Sequence, residues 1–472
     1  MHRLLTLTAC CGVLACIGAS CGHSESDRSD SLPDTLKVVT LYGPTSYFLY
    51  RGEPMGYDYT LVDSLARQKN MVLDLKVARS LSTAVAMLDS GKVDLIAYEV
   101  PITGHYRPLV IPCGPENYTT QVLVQPKNRG EVEITDVTQL VGKEVYVERD
   151  SKYLRRMQHL NDEIGGGIII HEVDGDTIIT EDLIRMVSDG EIPLTVVDSD
   201  IAKLNRTYYP DLDIDLEVGF PQRSSWAVGP DKKWLADSID SWFAGASPQR
   251  TNAELLKQYF EQTKYTPRFN FDFSKGYISQ YDNLFKKYAP GVGWDWRLMA
   301  AQAYQESRFR PNARSWVGAR GLMQIMPRTA RGYRTSVNRL NDPETSVRVA
   351  TALIEDLDGY LKKYVPSDKE RVKFVIAAYN CGIAHVYDAI ALAKKYGYDP
   401  TVWDGNVAKA ILMKMNPKYY NDPVVKYGYC RGSETVAYVK NITDFYEQAR
   451  REVTAYSPVL TRFAILASVI LT

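Results

Sequence analysis

The spacing of apolar and polar positions changes character once along this chain. From Leu36 to about residue 265, short apolar runs alternate with stretches of helical spacing; beyond Gly276 only the helical spacing remains. Residues 36–41 and 93–98 read as strands. Residues 60–69 carry Leu61, Val62 and Leu65 on one helical face, and 80–89 form a second helix that Gly91 ends. A second set follows: strand 144–148, a helix around 153–161, strand 168–171, helix 180–189 and strand 194–198. Such alternation predicts a mostly parallel sheet with helices on both faces, and two such sets predict two lobes with a cleft between them. Residues 235–244, with Ile239, Trp242 and Phe243, close this half. Residues 262–274, carrying Pro267, are the expected linker.

The second half reads as helix throughout. Residues 276–288 place Ile278, Tyr281, Leu284 and Phe285 inward, and Pro290-Gly291 ends the run. Asp295 is a candidate cap for 296–306, whose stripe is Leu298, Met299 and Ala303. Asp342-Pro343-Glu344 combines a cap, a proline at the first helical position and an acid in the first turn. That helix runs to about residue 364 on Val347, Ala350, Ile354, Leu357 and Leu361. Ser367 and Glu370 suggest a capping box for a helix through 378.

At 472 residues the chain has room for two or three domains, and 45% hydrophobic with 24% charged content is that of a folded protein. A net charge of -1 gives no basic field to hold phosphates, so nucleic acid is not an expected partner. Residues 1–21 read as an export leader: Arg3, then an apolar run over 4–17 too short to span a bilayer. Gly18-Ala19-Ser20-Cys21 resembles a bacterial lipoprotein cleavage site, with Cys21 as the lipidated residue and Cys16 as a rival. Acyl chains there would hold the protein on the outer membrane, facing the periplasm, at about 0.8 kcal/mol per buried CH₂. Residues 22–34 are a polar tether. The tail, 451–472, has an apolar stretch at 463–471 that is too short to cross a membrane.

Candidate chemistry concentrates between Ala301 and Ala330. Glu306-Ser307-Arg-Phe309 ends a helix, and Gly318-Ala-Arg-Gly321-Leu-Met323-Gln324-Ile-Met-Pro-Arg-Thr329-Ala follows as a glycine-punctuated loop. Farther on stand Ala378-Tyr379-Asn380-Cys381-Gly382 and Glu434-Thr435-Val-Ala-Tyr438-Val439. Together these motifs resemble the lytic transglycosylases, enzymes of lysozyme-like fold that cleave peptidoglycan glycan strands. The resemblance implies Glu306 as the general acid and base, with Tyr379 beside the scissile bond to assist it. It implies Ser307, Met323, Gln324, Asn380 and Tyr438 as substrate-binding residues. Burial at the helix end would raise the pKa of Glu306, as a general acid requires.

The first half carries a second resemblance. Gly56-Tyr-Asp58, Leu88-Asp-Ser-Gly91-Lys-Val-Asp94, Val141-Gly-Lys143 and Val197-Asp198-Ser-Asp-Ile-Ala202 are similar to family 3 solute-binding domains. That family implies an amino acid or muropeptide ligand, its carboxylate on Arg107 and its ammonium on Asp198, although Arg107 stands one residue beyond the usual spacing after Ile102-Thr103. The expected architecture has two domains: an α/β two-lobed periplasmic-binding-protein-like domain over 35–265, then a mostly α lysozyme-like domain over 271–450. Both domains behind a lipoprotein leader resemble the membrane-bound lytic transglycosylases.

The catalytic motifs supply one carboxylate where hydrolytic glycosidases use two, and the resemblance to the lytic transglycosylases implies a non-hydrolytic reaction on the bond between N-acetylmuramic acid and N-acetylglucosamine, giving 1,6-anhydro ends. A lysozyme-type hydrolase, or a lipid-anchored receptor with a non-catalytic glycan-binding domain, are the alternatives. No cofactor or metal is expected. Gly165-Gly166-Gly167 lacks the setting of a phosphate loop. Three cysteines remain in the body. If the two later motifs share one cleft, Cys381 and Cys430 are either a disulfide or a pair of buried thiols, with Cys113 left reduced.

Overall fold

The computed structural model describes residues 33–127, 133–149, 151–174, 178–262, 271–273 and 276–453. The expected leader with Cys21, most of the tether and linker, and nearly all of the tail lie outside these residues. The strands are β1 (Thr35–Leu41), β2 (Phe48–Tyr50), β3 (Glu53–Met55), β4 (Val72–Ala78), β5 (Leu95–Pro101), β6 (Ile111–Thr119), β7 (Gln121–Pro126), β8 (Glu144–Glu148), β9 (Ile169–Val173), β10 (Thr195–Asp198), β11 (Leu212–Asp213) and β12 (Gln222–Val228). The first lobe is a sheet of order β4-β1-β5-β12-β6, and the second is β11-β7-β10-β8-β9. β2 and β3 pair alone as a hairpin.

Both sheets are mixed rather than mostly parallel. β1 is parallel to β4 and β5, but β12 is antiparallel to β5 and β6. β8 is parallel to β9 and β10, but β7 is antiparallel to β10. The reversed strands are the two that cross between lobes. β7 enters the second lobe and β12 returns to the first, each against the direction of the local βα units. β1 buries Leu36 and Val38 on one face and Val39 on the other, so helices cover both sides. Those helices are α1 (Tyr57–Gln68) and α2 (Leu81–Asp89) in the first lobe, and α3 (Lys152–Glu163), α4 (Thr180–Asp189) and α5 (Ser199–Arg206) in the second. α6 (Lys233–Phe243) and α7 (Ala246–Leu256) follow β12.

The remainder is helical: α8 (Asp282–Tyr288), α9 (Trp296–Ser307), α10 (Pro327–Gly332), α11 (Pro343–Leu361), α12 (Asp368–Cys381), α13 (Ile383–Lys395), α14 (Ala408–Met413), α15 (Pro417–Tyr420) and α16 (Gly432–Glu452). α8 starts later than its apolar spacing suggests. The Asp282 carboxylate accepts the backbone N–H groups of Ile278 and Ser279, at 2.9 and 2.8 Å, and fixes a turn there instead. Asp295 and Asp342 are the caps their positions predict, accepting from Arg297 N and Thr345 N at 2.9 Å each. Ser367 accepts from Glu370 N, but the Glu370 carboxylate takes the Trp403 N–H, so only half of the capping box forms. Met299, Ala300 and Ala303 of α9 lie in the helical core with Phe285, Ile442 and Phe445.

A buried polar chain joins the two halves. Lys414 is 0% exposed. Its ammonium donates to Asp388 Oδ2 at 2.6 Å and to His385 Nδ1 at 2.7 Å. Because Nδ1 accepts, Nε2 carries the ring proton, and it donates to the Leu49 carbonyl of β2 at 2.9 Å. Burial and the Lys414 charge hold His385 well below its ordinary pKa, so it stays neutral. Asp388 also accepts the N–H groups of Lys426 and Tyr427 at 2.9 Å each. Removing one partner of such a pair strands a charge. Lys414→Ala is expected to cost about 3–5 kcal/mol, read as a lower urea midpoint at unchanged slope. A midpoint within the scatter of the parent would show that the network contributes nothing to stability.

Candidate active site

Glu306 lies one residue from the end of α9. Arg308 and Phe309 both take left-handed φ, 52° and 59°, and turn the chain sharply away. This leaves the Glu306 side chain on the wall of a cleft of about 1030 Å³, lined also by Gln324, Asn380, Glu434 and Tyr438. Ser307 is expected to bind substrate. Its hydroxyl instead bonds the carbonyls of Ala303 and Leu322, at 3.2 and 2.8 Å, and ties the helix end to the following loop. Gln324, at φ 49°, spends its amide N–H groups on the carbonyls of Ala313 and Gly321, at 3.0 and 2.9 Å. Gly321 sits at φ +86°, and a Cβ there would meet the Leu340 carbonyl oxygen at 2.0 Å. Met323 is fully buried; its N–H reaches Ser346 Oγ and its carbonyl accepts from Tyr379 Oη at 2.8 Å.

The two tyrosines therefore exchange the parts expected of them. α16 packs along α9, so Tyr438, expected only to line the cleft, donates to Glu306 Oε1 at 2.6 Å. Tyr379, on α12, is turned to the Met323 loop. Asn380 Oδ1 accepts from Thr435 Oγ1 at 2.9 Å, which joins the end of α12 to the start of α16. Burial raises the pKa of Glu306, while the Arg51 charge and the Tyr438 hydroxyl act against that rise.

Arg51 is the part of this site that the sequence reading missed. It belongs to the other domain, at the tip of the β2–β3 hairpin. Arg51 and Gly52 both have positive φ, 52° and 77°, as a two-residue type I′ turn requires. Arg51 Nη2 reaches both oxygens of Glu306, at 2.9 and 3.0 Å, and Nη1 donates to the Gln324 carbonyl at 2.8 Å. The Arg51 backbone N–H meets the Cys381 carbonyl at 3.2 Å, and Tyr50 Oη donates to Glu434 at 3.2 Å. The hairpin fills the catalytic end of the cleft. The only local signal was a short apolar run, Phe48-Leu-Tyr, broken by Arg-Gly.

Arg107 is exposed and makes no ion pair among the described residues. Asp198, at the end of β10, pairs with Lys152 at the start of α3. Cys381 and Cys430 are buried free thiols in one hydrophobic core, and Cys113 is buried in the first lobe. Among the described residues no cluster of His, Cys, Asp or Glu is arranged to hold a metal ion, and no helix is long and apolar enough to cross a membrane.

Two family models match this chain: bacterial extracellular solute-binding proteins, family 3, over residues 36–262, and the transglycosylase SLT domain over 283–401. The chain is 32% identical to the membrane-bound lytic murein transglycosylase F of Shewanella pealeana, over 95% of this chain and 91% of that one. It is 31% identical to the protein of the same name from Aeromonas hydrophila, over 87% of this chain and 81% of the relative. Among solved structures it is similar to the L-cystine solute receptor of Neisseria gonorrhoeae in its unliganded open conformation. There the identity is 17% over 50% of this chain and 96% of that chain, with a TM-score of 0.41.

The Tyr438 hydroxyl favours the charged form of Glu306. Tyr438→Phe removes that donor, so Glu306 keeps its proton to higher pH. In a reaction needing the protonated acid, the alkaline limb of the pH–rate profile moves upward, measured as digestion of purified cell-wall sacculi in an Arg51→Ala background. A limb that stays put or moves down would exclude Glu306 as the titrating acid.

Proposed function

The chain belongs to the membrane-bound lytic murein transglycosylase F family, and from that premise we propose how its buried acid works and how it is held in check. It is a lyase that cuts the glycan strands of peptidoglycan. One observation carries the mechanism: a buried carboxyl on the wall of a large cleft, with a tyrosine hydroxyl 2.6 Å away.

Protonated Glu306 gives its proton to the glycosidic oxygen, and the N-acetylglucosamine leaves with a free 4-hydroxyl. The N-acetyl group of the muramoyl sugar meets the positive charge at C1. The Glu306 carboxylate, held by Tyr438, then takes the proton of the C6 hydroxyl, whose oxygen closes on C1. The acid ends as it began, no water is consumed, and the new end is a 1,6-anhydro sugar. Tyr379, Met323 and Gln324 hold the loop that faces the sugar, and Asn380 contacts it. We assign residues 271–450 to this lyase domain and 35–265 to a ligand-sensing domain.

Arg51 holds the enzyme off in two ways. Its side chain occupies the space beside Glu306, and its charge favours the carboxylate over the acid that the first step needs. Both lobes of the first domain grip the lyase domain. The hairpin belongs to the first lobe, and Arg431, just before α16, donates to Asn205 of the second at 2.8 Å and stacks on Tyr208. A change in the angle between lobes must therefore strain one grip. A ligand that favours the arrangement with the hairpin lifted would start the reaction. An amino acid or muropeptide is the ligand class we assign, with Asp198 at the ammonium. The exposure of Arg107 leaves its carboxylate contact to lobe closure. Cys21 is the proposed lipid anchor, on the periplasmic side of the outer membrane.

Sacculi digested with the chain and examined by mass spectrometry test this reading. Arg51→Ala is expected to digest about tenfold faster than the parent, since a hydrogen bond to a charged group contributes about 1.5–3 kcal/mol. Products lie about 18 Da below the hydrolytic muropeptides, and Glu306→Gln lowers the rate by at least about 10². Hydrated ends would instead give Glu434, which shares the cleft, the second carboxylate of a hydrolase. Arg51→Ala at the parental rate would remove the hairpin as a brake.

A further inference from the structure

The Cys381 and Cys430 pair remains unused by the mechanism. Cys381 is the last residue of α12, directly after Tyr379 and Asn380, and Cys430 lies two residues before α16 begins. Both are nearly inaccessible, at 3% and 4% exposure, and both are free thiols. Both line one small cavity of about 30 Å³, roofed by Leu49 and Tyr50 of the arginine hairpin. The same seam is crossed by the Thr435–Asn380 hydrogen bond. Backbone contacts hold each cysteine in place: the Cys381 carbonyl under the Arg51 N–H, and the Cys430 N–H on the Lys414 carbonyl, both at 3.2 Å.

The two sulfurs act on each other. Burial opposes ionisation of Cys381, yet the Cys430 thiol, the Thr435 hydroxyl and the Lys414 charge together hold it below the ordinary thiol value. Cys430 is pushed well above that value by its Cys381 neighbour and by burial. In disulfide exchange one thiol of a neighbouring pair attacks the oxidant and the other resolves the mixed disulfide.

We propose that Cys381 and Cys430 form a reversible disulfide across the seam between α12 and α16, beneath the arginine hairpin, with a disulfide compound as oxidant. It rests on the cell-wall reading above only through the oxidising surroundings of an exported protein. The Cys381 thiolate attacks one sulfur of the oxidant, forming a mixed disulfide and releasing one thiol. The Cys430 sulfur then attacks Cys381 Sγ and releases the second thiol. Two electrons leave the cysteine pair, the oxidant's S–S bond is reduced, and both protons finish on its two thiols. The cavity is too small for glutathione, so the exchange requires the hairpin to lift. The bond then fixes the helix end that carries Asn380 against the segment that carries Thr435 and Glu434.

The purified full chain, incubated with oxidised glutathione, quenched in acid and alkylated after denaturation, tests this by intact mass and non-reducing peptide mapping. The expected product is lighter by two hydrogens, joins the Cys381 and Cys430 peptides, and carries alkyl only on Cys113 among the body cysteines. Arg51→Ala closes the bond at least about fivefold faster, because its hairpin opens more often. Cys381→Ala shows no loss of hydrogens. A bond closing a loop of roughly 50 residues raises the unfolding temperature by about 5–15 °C over the reduced chain. Three alkylated cysteines in both the parent and Arg51→Ala, or glutathione adducts that never resolve, overturn the proposal, and equal closing rates overturn the route under the hairpin. Sacculus digestion by the same samples separates the two readings. Digestion without the bond sinks the disulfide alone, and the bond without digestion by Arg51→Ala sinks the lyase reading alone.

Discussion

A guanidinium from one domain is clamped onto the carboxylate that the other domain presents to its cleft. The side chains of Arg51 and Glu306 are only 10% and 5% exposed. Withdrawing such charges from water costs several kcal/mol per ion, and good geometry with further hydrogen bonds is needed to offset it. Arg51 has that geometry on one edge: two contacts to Glu306 and one to the Gln324 carbonyl. Its Nε is buried without a protein partner. The clamp is satisfied on one edge only, and an unmade buried hydrogen bond costs about 1–3 kcal/mol. The placement of the two domains and the protonation of the catalytic acid are thus a single physical problem.

The loop beside that acid is held by side chains bonded to its main-chain carbonyls. Ser307, Gln324 and Tyr379 all direct their polar atoms at carbonyls of the 303–324 segment rather than into the cleft. Residues of a glycan-binding motif here act as scaffolding for the loop. The cost is borne locally, by left-handed residues at Arg308, Phe309 and Gln324 and by a glycine at 321 that tolerates no side chain. Rigidity is the return: Glu306 sits at a helix end whose next turns are all tied down, so its environment changes chiefly when the hairpin moves.

That hairpin is held by more than Arg51. His385 reaches the Leu49 carbonyl, Tyr50 reaches Glu434, and a Cβ at Gly382 would stand 3.0 Å from Gly52 N. His385 is itself fixed by Lys414 and Asp388 inside the helical core. The second lobe has its own hold through Arg431. Each lobe of the first domain thus has its own side-chain contact with the helical domain.

The sequence by itself indicated the two architectures, several of the helices and strands within them and Glu306 as the candidate acid. Period-2 and period-3.6 patterns are local, and so are the caps at Asp295 and Asp342 and the run from Glu306 to Thr329. It did not determine strand direction at the lobe crossing, because parallel and antiparallel neighbours share one apolar pattern. Nor did it assign the hydroxyl that touches Glu306. The motifs pointed to Tyr379, and the packing of α16 on α9 puts Tyr438 there instead. The Arg51–Glu306 ion pair was invisible, since the two residues lie 255 residues apart and an Arg-Gly turn in a short hairpin has no chemistry of its own. Only the docking of one domain on the other makes it part of the active site, for an ion pair is a property of distance in space and carries no signature along the chain.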